Sequence, residues 1–359
     1  MPHDTTVLFF ALIQCGIGKR STLPAPPCKE QWAQLYELSA KHTLAGIAFA
    51  GIQQLPQEQR PPRDILLQWY AACERIKAKN SELNSKASSV SSKFKDEGFN
   101  NCILKGQGIA QLYPDPTLRT PGDIDIWLSG GHKKIISYVK QFIPDCTPTY
   151  HHVDFPIANG LDIEIHYRPS WAYNPFTNKR LLQYFSKHAD EQFNNTITTP
   201  GGTFPAPTPA FNRIYILLHI YRHLFFEGIG MRQMLDYYYV TRQPVTEKEK
   251  AEHIALLKQF GLYKFARATA YAMQQMFAAD DTHTLVAPDS KEGKFLMQEI
   301  MHAGNFGHHD SRYMKGNGTI AKLHNNAKRL LALIRHYPSE AIWIPYFKIW
   351  HWFWRKSHK

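Results

Sequence analysis

The sequence predicts an α+β fold: a small mixed sheet with helices in the middle of the chain, flanked by N-terminal and C-terminal helical regions. Three observations carry that expectation. Apolar residues keep a helical beat before residue 95 and again after residue 210, and between them short segments alternate like strands. The boundaries that follow are an N-terminal helical region over 1–95, an α/β unit over 96–202 and a C-terminal helical region over 203–359.

In the first region Trp32, Leu35, Leu38, Leu44, Ile47, Ala48 and Ile52 recur at helical spacing. Leu66 to Ile76 starts a second helix. The stretch Lys77 to Lys95 is charged and Ser-rich, which predicts a long exposed helix. In the middle, Cys102-Ile103-Leu104 is a short apolar run ending at Lys105-Gly106, and Gln107 to Tyr113 is helix-like. After a Pro-rich turn, Ile124 to Leu128 opens by alternating. Residues 132 to 143 suit a helix, and Gly160 to Tyr167 alternates again, giving strand, helix, strand, helix, strand. Pro200 to Pro209 reads as a linker or an extended crossing. Helices follow over Ala210–Phe225, Gly230–Val240, Glu247–Lys258, Leu262–Met276, Phe295–Met301 and Ala321–Tyr337, with a turn at Gly228 and Gly230.

Composition narrows the function classes. The 359 residues include 42 Lys plus Arg against 30 Asp plus Glu, a formal +12 that favours polyanionic partners such as nucleotides, nucleic acid or phosphorylated surfaces. Five cysteines with no CxxC pair argue against a disulfide framework or a zinc knuckle, and suit a reducing, cytoplasmic compartment. The apolar run Val7 to Ile13 is short and follows Asp4 instead of a basic region, so it makes a poor secretory signal. No run of 18 uncharged apolar residues exists to predict a transmembrane helix. The tail Ile342 to Trp354 holds four Trp, two Phe and a Tyr before a basic end, Arg355-Lys356-Ser357-His358-Lys359. The expectation is packing on the body; the alternative is a membrane-surface helix of a peripheral membrane or assembly protein.

The sharpest motif is Gly122-Asp123-Ile124-Asp125-Ile126. Residues two apart on a strand share a face, so Asp123 and Asp125 project together while Ile124 and Ile126 enter the core. Adjacent carboxylates repel unless a cation lies between them, and magnesium binds one or two carboxylates together with substrate phosphates. A solvated edge strand would carry the same tripeptide. Asp162-Ile163-Glu164-Ile165-His166 places Asp162, Glu164 and His166 on one face; beside the first strand, Glu164 adds a third carboxylate, enough for two metals. Leu104-Lys105-Gly106-Gln107-Gly108 lies where a strand gives way to a helix, a place where free amides can meet phosphate, although no GxxxxGK[ST] is present.

These residues carry a resemblance. Leu104-Lys105-Gly106, Tyr113-Pro114-Asp115-Pro116 with Arg119, and Gly122-Asp123-Ile124-Asp125 resemble blocks of a bacterial nucleotidyltransferase family within the DNA polymerase beta-like superfamily. Glu164 to Tyr167 and Gly228 to Asp236 resemble further blocks. The resemblance implies a nucleotidyltransferase-like sheet and transfer of a nucleoside monophosphate from an NTP, with Mg2+ or Mn2+ and release of pyrophosphate. Asp123, Asp125 and Glu164 match the acidic metal-binding positions, and Gly106 matches the phosphate-binding turn. Lys105, Gln107 and Arg119 join it as candidate nucleotide contacts. The chain departs from the superfamily in having Gly106-Gln107 where Gly-Ser or Gly-Gly is usual, and in placing Asp123 17 residues after Gly106.

Asp162, His166, His219, His223 and Arg232 are candidates for supporting contacts or for the acceptor pocket; Arg232 and Asp236 form an i,i+4 pair. His151, His152, Asp154, Glu164 and His166 could also assemble a transition-metal site, but their spacing matches no established ligand pattern. The acceptor expected first is a small molecule or carbohydrate, with RNA ranked below it because the positive charge is dispersed. A noncatalytic nucleotide- or RNA-binding protein on the same fold is the alternative from another class.

Overall fold

The computed structural model describes residues 4–155, 163–280, 284–307, 310–314 and 318–357. The N-terminal apolar run forms helix α1 (Thr5–Gly16), capped by the Asp4 side chain and buried along Leu8, Phe9, Leu12 and Ile13. It is therefore part of the core. Helices α2 (Lys29–Lys41) and α3 (Ala45–Gln54) follow as the periodicity indicates. The next two expected helices are one: α4 (Arg63–Asp96) runs 34 residues without a break. Its second half is not the exposed helix that its charge suggests. Leu83, Ala87, Val90 and Phe94, three or four apart, form a buried stripe, while the lysines stay on the far side.

Four short strands make the main sheet: β1 (Asn101–Leu104), β2 (Ile124–Leu128), β3 (His152–Asp154) and β4 (Ile163–His166), in the order β1-β2-β4-β3. Only β2 and β4 run parallel; the outer pairs are antiparallel. Helix α5 (Gly106–Ala110) lies between β1 and β2, and α6 (Gly131–Val139) follows β2. Thus β2 is a central strand, not a solvated edge. Its register aligns Ile103, Ile126, Ile165 and Val153 in one row across the sheet. That aliphatic face packs against α4 and α6 in a core of its own. The other face meets the larger core, in which Trp127 contacts Phe193 and stacks on Phe211 at 6.0 Å.

Helix α7 (Pro175–Asn194) starts with Asn174 capping Phe176 and Thr177, and Pro175 at its first position. The expected linker is a hairpin instead, β5 (Thr196–Thr199) and β6 (Gly202–Pro205), turning at Pro200-Gly201. Gly202 has φ +127° and lies against Ser88, so a side chain there is excluded twice over. Pro205 sits at the hairpin's end, where no further ladder bond is required. The carboxy-terminal helices are α8 (Pro209–Phe226), α9 (Met231–Thr241), α10 (Glu247–Gln259), α11 (Tyr263–Phe277), α12 (Ser290–Ala303), α13 (Thr319–Ile334), α14 (Pro338–Ala341) and α15 (Ile344–Ser357).

Helix α15 holds the aromatic tail. One side packs on the body: Phe347 stacks on Trp171 at 4.2 Å, and Trp354 lies against His132. Tyr346, Ile349, Trp352 and Phe353 stay exposed. No described helix is long and apolar enough to cross a membrane.

Glu340 in α14 is buried and accepts the backbone N–H groups of Tyr173 and Asn174, which fixes the entry to α7. Burial pushes its carboxyl up to about 7. The folded state therefore retains a proton that the unfolded chain releases near the ordinary carboxyl value of 4.5. Stability should fall as pH rises from that value towards 7. Substitution Glu340→Gln should flatten this dependence, shifting the stability difference in the variant's favour by on the order of 3 kcal/mol between pH 4.5 and 8. Urea unfolding of both proteins at the two pH values checks it; equal slopes would contradict the assignment.

Candidate active site

The polar face of the sheet is built by register. One row reads Leu104, Asp125, Glu164, Asp154, and the next reads Cys102, Trp127, His166, His152. Alternation that buries the isoleucines on one side thus delivers two acidic strands and two histidines to the other. Asp123 stands two residues before Asp125, at the mouth of a cleft lined also by Lys105, Gly106, His219, Arg232 and Phe306.

Asp125 is almost fully buried. Its Oδ1 lies 2.7 Å from Lys105 Nζ and 2.9 Å from His166 Nε2. Burial opposes its ionisation, but Lys105 and His166 outweigh that and hold its carboxyl below the usual range. His166 also reaches Glu164 Oε2 at 3.3 Å. Burial opposes a charge on this imidazole too, yet the two carboxylates raise its affinity for a proton. Glu164 is kept ionised against its burial chiefly by His166, with His152 Nδ1 at 3.3 Å assisting. A carboxylate so held is a weak base that stays ionised at neutral pH. Asp123 behaves oppositely: the Asp125 charge beside it, with burial second, pushes its carboxyl up to about 6.

Lys105 is held in a strained backbone, with φ +52° and ψ −135°. Such a conformation costs a non-glycine residue about 1–3 kcal/mol. The turn into Gly106, itself at φ +35°, brings the lysine side chain back over β2. Gln107 does not line the cleft. Its buried amide donates to Asn84 Oδ1 at 2.6 Å and ties α5 to α4.

Arg119 makes a two-pronged ion pair with Asp236, Nε to Oδ1 at 2.7 Å and Nη2 to Oδ2 at 2.8 Å, while Tyr113 donates to the same carboxylate. The i,i+4 partners Arg232 and Asp236 thus look elsewhere first: Arg232 donates to the Thr120 carbonyl at 2.9 Å. His219 and His223 meet edge to face with ring centres 4.3 Å apart, and His219 lines the cleft. Burial holds both imidazoles below their ordinary value. Asp162 lies outside the described residues.

One group escaped the sequence reading as a site residue, and another was named without its partner. Arg222, between His219 and His223 in sequence, packs 5.6 Å over Trp171, and its Nη1 has no hydrogen-bond partner among the described residues. Its charge depresses the proton affinity of His151 and His152, after burial. The only sequence signal was its place on a helix otherwise apolar at that level. His152 was visible as part of a histidine pair, but β3 is three residues long and has no periodicity to reveal that it faces Glu164.

A mixed sheet presenting adjacent carboxylates to a cleft walled by lysine, arginine and histidine defines a phosphate-handling enzyme of α+β type. The chain belongs to the uncharacterised nucleotidyltransferase family, whose model matches residues 29–278. Among solved structures it is similar to an antigenic nucleotidyltransferase-like protein from Paracoccidioides brasiliensis, at 14% identity over 58% of this chain and 95% of that one, with a TM-score of 0.30. No curated protein matches it.

Proposed function

We propose that the protein transfers a nucleoside monophosphate from an NTP to a hydroxyl of a small molecule or carbohydrate, releasing pyrophosphate. The observation that supports this reading most is the in-register pair Asp125–Glu164 with Asp123 two residues upstream, Asp123 and Asp125 lining the cleft and Glu164 beside Asp125 on the neighbouring strand. The donor set is all hard oxygen, which fits Mg2+ or Mn2+. Asp123, Asp125 and Glu164 would hold the ion, which when bound supplies Lewis-acid stabilisation of charge on the phosphates.

The chain's own residues do the rest. Lys105 offsets carboxylate charge at Asp125 and stands where it can share that role with a phosphate oxygen. His166 holds Asp125 and Glu164 in fixed orientation from beneath. Arg232 and His219 form the opposite wall, where an acceptor would enter. In the reaction the acceptor oxygen bonds to the α-phosphorus, the bond to the bridging oxygen breaks, and the acceptor proton leaves to solvent or a nearby base. The enclosed volume of the cleft is only about 40 Å3, so nucleotide entry requires the wall that carries Phe306 to move outward.

The test is pyrophosphate release with each NTP and Mg2+ or Mn2+ against pooled metabolites, sugars and RNA, with Asp125→Ala alongside. Turnover by the wild type alone supports transfer, and product mass identifies the acceptor. Metal-dependent NTP binding without turnover against any acceptor would instead favour a nucleotide-binding role. Neither binding nor turnover would overturn the reading.

A further inference from the structure

Beside the three carboxylates is a second convergence of donor atoms, which shares Glu164 and His166 with the proposed transfer site and adds His151 and His152. His151 Nε2 lies 3.1 Å from His152 Nδ1, His152 Nδ1 lies 3.3 Å from Glu164 Oε2, and Glu164 Oε2 lies 3.3 Å from His166 Nε2. One imidazole nitrogen thus faces both another imidazole and a carboxylate, and one carboxylate oxygen faces two imidazoles. A histidine nitrogen carries at most one proton, so His152 Nδ1 can donate to only one of its two neighbours at full strength. Donor atoms that crowd a common point, instead of pairing off, are what a cation centre requires.

The spacings are quantitative. Four ligands at zinc–nitrogen and zinc–oxygen lengths of about 2.0–2.1 Å have neighbouring ligand atoms about 3.3 Å apart in a tetrahedron. The three consecutive distances, 3.1, 3.3 and 3.3 Å, are edges of that size. The three imidazoles each place a ligand nitrogen within 4.8 Å of the other two, and Glu164 joins them through His152 and His166. His152 and His166 are held opposite each other by the β3–β4 register, and His151 is pinned through Thr149, whose hydroxyl lies 3.3 Å from its Nδ1. That hydrogen bond leaves Nε2 free to ligate.

We infer that His151, His152, His166 and Glu164 form a site for a borderline-soft divalent ion of the zinc type, distinct in chemistry from the oxygen-only magnesium position. Three imidazoles and one carboxylate favour Zn2+ or Co2+ strongly over Mg2+. Arg222 and Lys105 oppose a cation here, while Glu164, Asp125 and the outlying Asp154 favour it. The inference does not depend on the nucleotide reading. It adds one consequence if both hold: since Glu164 and His166 serve both positions, zinc would compete with magnesium and inhibit transfer.

The experiment is titration of the metal-free, nucleotide-free full chain with Zn2+ by calorimetry, and with Co2+ by visible absorption. The expected result is one zinc bound per chain, with the intense absorption of a four-coordinate cobalt site. Affinity should drop at least about 100-fold in His151→Gln/His152→Gln and stay unchanged in His302→Gln, an exposed control on α12. No zinc binding by the wild type, a weak octahedral cobalt spectrum, or equal affinity in the double variant would overturn it. Should the double variant fail to fold, the cobalt spectrum of the wild type decides alone.

Discussion

Replacing Asp123 by Asn should make the metal-free protein more stable and the enzyme nearly inactive. The two effects have one cause. In the folded chain the Asp123 carboxylate sits beside the ionised Asp125, and the repulsion pushes its carboxyl up to about 6. Between the ordinary value of 3.8 and 6 the native state binds more protons than the unfolded state, so wild-type stability declines as pH rises through that window. Asparagine keeps the shape and removes the charge. Its stabilising effect should therefore be larger at pH 8 than at pH 4.5, modest in size because solvent reaches Asp123. On the proposed reading, in which Asp123 is one ligand of a catalytic ion, its loss should also lower transfer by on the order of 10³-fold. Thermal melting in chelator at the two pH values, with pyrophosphate release assayed in parallel, checks both. A destabilised and fully active variant would contradict the account on each point.

Asp236→Ala should be the most damaging single change among the cleft residues. The carboxylate neutralises Arg119 through two hydrogen bonds and also takes the Tyr113 hydroxyl, all out of contact with water. Its removal strands the Arg119 guanidinium, with Arg232 adding a second positive charge nearby. An uncompensated buried charge of this kind costs about 3–5 kcal/mol. A double variant, Arg119→Met/Asp236→Leu, removes both charges and should recover much of the loss, since a buried ion pair is often replaceable by apolar groups. The denaturant midpoints of the three proteins decide. If the single and double variants fall equally, packing and not stranded charge explains the cost.

Much of this was legible in the sequence, for a physical reason. Asp123-Ile124-Asp125 and Ile163-Glu164-Ile165-His166 have period-two alternation, and alternation determines which side chains share a face whatever the sheet order. Helices α8 to α11 were equally readable, being long and bounded by glycine, proline or threonine caps. What stayed hidden depended on register and on long-range partners. Nothing local says that Arg119 will meet Asp236, 117 residues away. Nor does anything local say that Lys105 will rest on Asp125, or that β3 will pair so as to oppose His152 with His166. The hairpin over 196–205 was masked by its prolines, which lie just where pairing ends. The second half of α4 was misread as exposed because its buried stripe, Leu83, Ala87, Val90 and Phe94, is narrow and set among lysines and serines.

The sheet that carries the site is shared between two cores, and this bears on how the protein can be dissected. Helix α4 contributes Trp69 and Cys73 to the larger core and Leu83 to Phe94 to the smaller one. A fragment spanning only 96–202 would leave β1 and β2 without α4 on one side and would bare Cys102, Leu104 and Trp127 on the other. Such a piece would enter solution with part of each broad surface of a four-stranded sheet uncovered, an invitation to non-native association and precipitation. Fragments made for crystallisation or isotope labelling should accordingly retain the helices from α1 through α11.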